Sequence, residues 1–160
     1  MLQFKCLNWI SSDLSDVAFR WAFSSIFLGL GLEHLFADAT IQLLMPTWIL
    51  APRLISVLCG CILVFGGTLV FLGYQLRFAA LLLSIFLLVV TAVVHAPGLV
   101  IRPENLPETW HWLWDVLQRS NFVKNLCLLG SCLRFFNYQT GRYSLESYYR
   151  QKYEGRKVAV

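Results

Sequence analysis

The sequence predicts an all-α integral membrane protein, a four-helix bundle with a short interfacial helix between its third and fourth helices. Three observations predict it. Apolar residues fill 58% of the 160 positions and charged residues only 14%, too apolar a mixture for a water-soluble domain of this length. A bilayer core about 30 Å thick needs roughly 20 mainly apolar residues per helical crossing, and four such stretches can be marked off. The formal net charge is +4, but the bases are spread along the chain or gathered at its C-terminus, as topology signals are, which argues against a nucleic-acid partner.

Residues 1–16 form a polar N-terminal segment with Lys5, Asp13 and Asp16, and the first span covers 17–36. Ala37–Asp38–Ala39 has the small residues of a signal-peptide cleavage site, yet the region before the span is weakly basic and the span is long for such a peptide, so a retained anchor is expected. Pro46 and Pro52 bracket a loop holding Trp48, and the second span covers 54–72. The turn Gly73–Tyr74–Gln75–Leu76 with Arg77 reads as a tight hairpin, which makes the second and third helices antiparallel neighbours. The third span, 78–94, ends at His95–Ala96–Pro97–Gly98, where proline and glycine are expected to stop the helix. Pro103, Pro107, Trp110, His111, Trp112 and Trp114 then suggest the interfacial helix. The fourth span, 122–136, is short and carries Lys124, Asn125 and Arg134, so Lys124 and Arg134 must snorkel or face protein. Residues 137–160 are a basic, tyrosine-containing tail, suited to a solvated topology role or to contact with anionic lipid or a partner.

Counting bases fixes an orientation. Lys5, Arg20, Arg77, Arg134, Arg142, Arg150, Lys152, Arg156 and Lys157 fall on one side of this arrangement, against Arg53, Arg102, Arg119 and Lys124 on the other. Nine against four places both termini in the cytoplasm. Glu33, His34, His95 and Lys124 then gather at the extracytoplasmic end, with His111 and Trp48 in the loops above them.

Ser25, Gly29 and Glu33 recur every fourth residue on the first helix, and Ser84, Thr91 and His95 share a stripe of the third, so both stripes can face the bundle interior. Glu33 and His34 point about 100° apart, so one at most aims at the centre. Two readings stand. Imidazole and carboxylate together suit a quinone headgroup or a metal; a Glu33–Lys124 ion pair with histidines capping helix ends is purely structural. His34, His95 and His111 lack the HxxxH or HxH spacing of a metal site, and no cofactor is required by any motif. Cys6, Cys59, Cys61, Cys127 and Cys132 show no CxxC pattern, and neither pair within a helix is placed to bridge.

The stretch Gly29–Phe36 (GLGLEHLF) with Met45–Pro46, the glycine-rich Gly60–Ala80 with Arg77, Ala79 and Ala80, then His95–Ala96–Pro97, Asn121–Gly130 (NFVKNLCLLG) and Gly141–Glu146 (GRYSLE) together resemble the DoxX family of small four-helix membrane proteins. The resemblance spans roughly 17–146. It implies a bacterial inner-membrane location and a functionally mixed set of relatives: thiosulfate:quinone oxidoreductase subunits, members of membrane oxidoreductase complexes, and assembly factors or chaperones. Many members carry a helix-two glutamate three residues after a glycine, where this chain has Leu63 after Gly60. The expected role is therefore a non-catalytic accessory subunit docked on a larger respiratory or redox membrane complex. The alternatives are a quinone-linked oxidoreductase subunit acting at Glu33, His34 and His95, or an assembly factor.

Overall fold

The computed structural model describes residues 11–43, 45, 49–103 and 106–157, and within them the chain is helical with no strand. Helix α1 (Ser12–Phe36) starts five residues before the apolar stretch, because Ser11 caps it: Leu14 N–H donates to Ser11 Oγ at 3.2 Å, and Asp13 sits in the first turn against the helix dipole. A short helix, α2 (Asp38–Leu43), follows. Helix α3 (Pro52–Leu72) has Pro52 at its first turn, where the missing N–H costs nothing.

The expected hairpin is present. Gly73 closes α3 with φ 64°, its N–H bonding Val70 O at 3.0 Å while Tyr74 N–H reaches Leu69 O at 3.0 Å. A left-handed residue there favours glycine. A Cβ would in addition lie 2.7 Å from Ser144 Cβ and 2.8 Å from Arg20 Nη1.

Helix α4 runs Leu76–Gly98 and does not stop at the proline. Its α-helical part ends at Val90, a π turn spans Thr91–His95, and the helix resumes over Ala96–Gly98. Pro97 in an ordinary helix would clash with the carbonyl four residues back. The wider π turn, in which Ala96 N–H reaches Thr91 O, comes just before it and lets the chain continue.

The expected interfacial helix does not stand apart from the fourth span. A single 3-10 turn, Glu108–Trp110, leads straight into α5 (His111–Phe135), a 25-residue helix. Its polar residues Asp115, Gln118, Asn121, Lys124 and Asn125 interrupt the apolar run without interrupting the helix. The tail also folds: α6 covers Leu145–Lys157.

Helices α1, α3, α4 and α5 pack around one core formed by Phe23 and Phe27, Leu63 and Val70, Ala79, Ala80, Leu83 and Leu87, and Cys132 and Phe135. The closest pairing is α1 with α3, at small residues. A Cβ on Gly31 would meet Val64 Cγ2 at 2.8 Å and Val64 N at 3.0 Å, and one on Gly60 would meet Leu35 Cγ at 2.8 Å. Such positions let backbones approach where the hydrophobic effect drives little association. Phe135 on α5 stacks on Phe19 (5.3 Å between centroids) and tilts against Phe23 (5.1 Å), which joins the last helix to the first.

Two helices, Pro52–Leu72 and Leu76–Gly98, are long and apolar enough to cross a membrane, with mean hydropathies of 2.5 and 2.6. The apolar side chains that face outward from them, among them Leu58, Phe65, Leu81, Ile85 and Leu88, are exposed.

Candidate functional site

Two of the residues singled out above, His34 and His95, lie on separate helix seams at the end away from the hairpin. On the α1/α3 seam His34 Nδ1 lies 3.0 Å from Ser56 Oγ, and the same hydroxyl donates to His34 O at 3.2 Å. Ser56 is fully buried, so this pair satisfies a hydroxyl that would otherwise be costly between helices. Glu33, one residue back, is turned outward and exposed.

The α4/α5 seam is the more polar. His95 Nδ1 donates to Gln118 Oε1 at 2.9 Å, which leaves Nε2 as an acceptor. One turn deeper Asn125 Nδ2 donates to Thr91 Oγ1 at 3.0 Å. Gln118 and Asn125 are both buried. Thr91 and His95 bound the π turn, which aims both side chains at α5. At the top of the seam Trp114 Nε1 donates to Gly98 O at 3.1 Å, and Gln118 packs so tightly on Gly98 that a Cβ there would lie 2.8 Å from its Cδ.

Half-buried Lys124 belongs to this seam and lies near enough to His95 to act on it electrostatically. Its ammonium donates to Asn121 Oδ1 at 2.8 Å, so the expected Glu33–Lys124 ion pair is replaced by a bond within α5. Glu33 is exposed on α1, whereas Lys124 is half-buried on α5. His111 is apart from both, its Nε2 bonding Leu106 O at 3.2 Å. Among the described residues no three His, Cys, Asp or Glu side chains converge as metal ligands, and Trp48 lies outside the described residues.

Ser56, Thr91, Gln118 and Asn125 are the polar partners that the sequence reading passed over as site residues. A signal for two of them was present: Gln118 and Asn125 are seven apart and share one face of a helix. That face was hidden because residues 99–120 read as a loop with an interfacial helix.

Gln118→Leu is expected to cost about 1–3 kcal/mol by stranding the His95 donor. The double variant with His95→Leu regains part of that loss. Denaturant or thermal unfolding in detergent of the two single variants and the double checks it, and strict additivity would contradict the pairing.

The opposite, hairpin end holds a buried charge pair. Arg20 is 1% exposed and Asp16 6%. Arg20 donates to Asp16 Oδ2 from Nε (3.1 Å) and Nη2 (3.0 Å), to Phe71 O from Nη1 (2.8 Å), and to Tyr143 O from Nη2 (2.7 Å). One guanidinium thus ties α1 to the end of α3 and to the segment before α6. Arg142 N–H on Asp13 Oδ1 (2.9 Å) and Glu146 N–H on Gly73 O (3.3 Å) complete the fastening. Burial, then the adjacent Asp16 carboxylate, pushes the Tyr138 phenol up to about 12 from 10.0. A proton held in the fold and lost from the unfolded chain leaves stability untouched below about pH 10 and erodes it from there to about 12. Tyr138→Phe is expected to flatten that alkaline limb in an unfolding-versus-pH series.

Between α3 and α4, on the outside, lies a groove of about 620 Å³ lined by Ile55, Cys59, Ile62, Ile85, Val89 and Val93, among others.

A helical chain with two adjoining membrane-length helices, and with buried Ser56, Gln118 and Asn125 paired across helix seams, has the build of a membrane protein. The DoxX family model matches residues 15–96, just over half of the 160, and the chain belongs to the DoxX family. No curated protein and no solved structure matches the chain. The matched segment takes in α1, α3 and α4 up to Ala96; the α5 and Gly141–Glu146 motifs lie beyond it.

Proposed function

We propose that α1, α3, α4 and α5 all cross the bacterial inner membrane, with both termini in the cytoplasm, and that the protein is an accessory subunit docked on a larger respiratory or redox membrane complex. The observation that carries this reading is the division of labour among its side chains. His34, His95 and Lys124 each spend a hydrogen bond on a structural neighbour, whereas the α3/α4 face offers an all but apolar groove to its surroundings. Leu63, where many relatives carry a carboxylate, is 1% exposed in the core and supports packing alone.

The test is migration of the native protein from its own membrane in a mild detergent. It should run with a larger complex, and Val89→Trp, which fills the groove, should release it while its own melting temperature is kept. Wild-type protein running alone would overturn the reading.

The quinone-linked alternative draws on one observation, the π turn that sets His95 against Gln118 within electrostatic reach of Lys124, since such turns often accompany functional sites. His95 Nε2 and the Lys124 ammonium would then be the groups that meet a quinone carbonyl or take up a quinol proton. Quinone reduction by Glu33→Gln and His95→Ala variants tests it, and unchanged rates in both would remove the site. An assembly factor would instead show itself by lower partner abundance at unchanged turnover after deletion.

A further inference from the structure

Helix α6 and the segment leading into it carry Arg142, Arg150, Lys152, Arg156 and Lys157 against Glu146 and Glu154. At about 100° per residue, Tyr148, Lys152, Leu145, Arg156, Tyr149 and Tyr153 fall within an arc of about 140° that holds two of these bases and no acid, while Arg150 and Lys157 fall outside it. Glu146, at the margin of that arc, pairs with Arg150 at 3.8 Å.

The aromatic and basic face has a fixed direction. Glu146 N–H bonds Gly73 O, and the Tyr149 ring lies 6.1 Å from that of Tyr74, so this face is turned toward the α3/α4 hairpin. Buried Arg20 holds Tyr143 O and buried Ser144 takes Ser147 N–H at 3.1 Å, which fixes where the helix begins. Tyr148 and Tyr153, to either side of Tyr149, stay 58% and 60% exposed, and Lys152 lies 6.0 Å from the Tyr148 ring.

We infer that α6 lies on the membrane surface with this face on anionic lipid headgroups. The inference rests on the reading that α3 and α4 cross the membrane, because only then is the Gly73–Gln75 turn at headgroup height. Tyrosine rings suit that layer, with an apolar body and a hydroxyl at the wet edge. Each base near an anionic surface contributes about 1 kcal/mol.

The test uses the full chain in nanodiscs of phosphatidylcholine alone or with a third of phosphatidylglycerol, digested with chymotrypsin, whose Tyr148, Tyr149 and Tyr153 sites are on the face itself. Two bases at about 1 kcal/mol each correspond to about tenfold or more slower cleavage in the anionic discs, an advantage erased by high salt. Lys152→Glu with Arg156→Glu should cleave equally fast in both discs, and Arg150→Glu, off the face, should remain protected. Equal rates for the wild type, or an Arg150→Glu as sensitive as the pair, would overturn the inference with the bundle reading intact. A chain that never integrates into either disc would overturn both.

Discussion

Arg20→Leu is expected to be the most damaging single substitution, at about 3–5 kcal/mol, because it leaves the Asp16 carboxylate buried without its partner. It also removes the donors that hold Phe71 O and Tyr143 O, so the segment leading into α6 should come loose. Lysine cannot replace it: an ammonium is a point donor on a flexible stem, while three separate acceptors here are met by one planar fork. A double change of Asp16→Leu and Arg20→Leu should recover much of the loss, since what costs most is the stranded charge. Thermal unfolding in detergent, read beside proteolysis of the tail, checks both parts.

Gly31→Leu is the second large effect. The nearest neighbours of a Cβ at this position include the backbone nitrogen of Val64, which has no rotamer with which to give way. Overpacking of this kind costs about 1–3 kcal/mol in a closely packed interior, and here it would also pry His34 from Ser56 farther along the same seam. Gly29, two residues away, has open space around its Cβ position, so Gly29→Ala should be neutral or slightly stabilising. Equal losses at the two glycines would contradict the packing described for α1 and α3.

The particular residues explain what was legible in the sequence. The second and third spans could be read because they carry no charged side chain and few polar ones, and a Gly–Tyr–Gln turn separates them. The start of α1 was hidden because Ser12, Asp13 and Asp16 look like a polar leader, although Asp16 is inside the protein with Arg20. Arg20 itself was counted as a topology charge; only the approach of residues 141–144 from the far end of the chain reveals it as a tie between three segments. Helix α5 was cut short for a similar reason. Gln118 and Asn125 lower its hydropathy, and their partners, His95 and Thr91, are on another helix. Continuation of α4 through Pro97 depended on a π turn that no local signal announces. The single cluster imagined for the candidate residues comes apart: His34 is with Ser56 on one seam, His95 with Gln118 on another, Glu33 is exposed and His111 is elsewhere.

The central claim is that the chain crosses the membrane with the hairpin and tail on one side and the polar seams opening toward the other. Single cysteines at Tyr74, Gln139 and Val100, introduced one at a time into a cysteine-free background, test it through labelling of intact cells with a membrane-impermeant thiol reagent. Val100→Cys should label from outside, and Tyr74→Cys and Gln139→Cys only after the cells are opened. Labelling of Tyr74→Cys and Val100→Cys from the same side would contradict the claim, because α4 would then not cross.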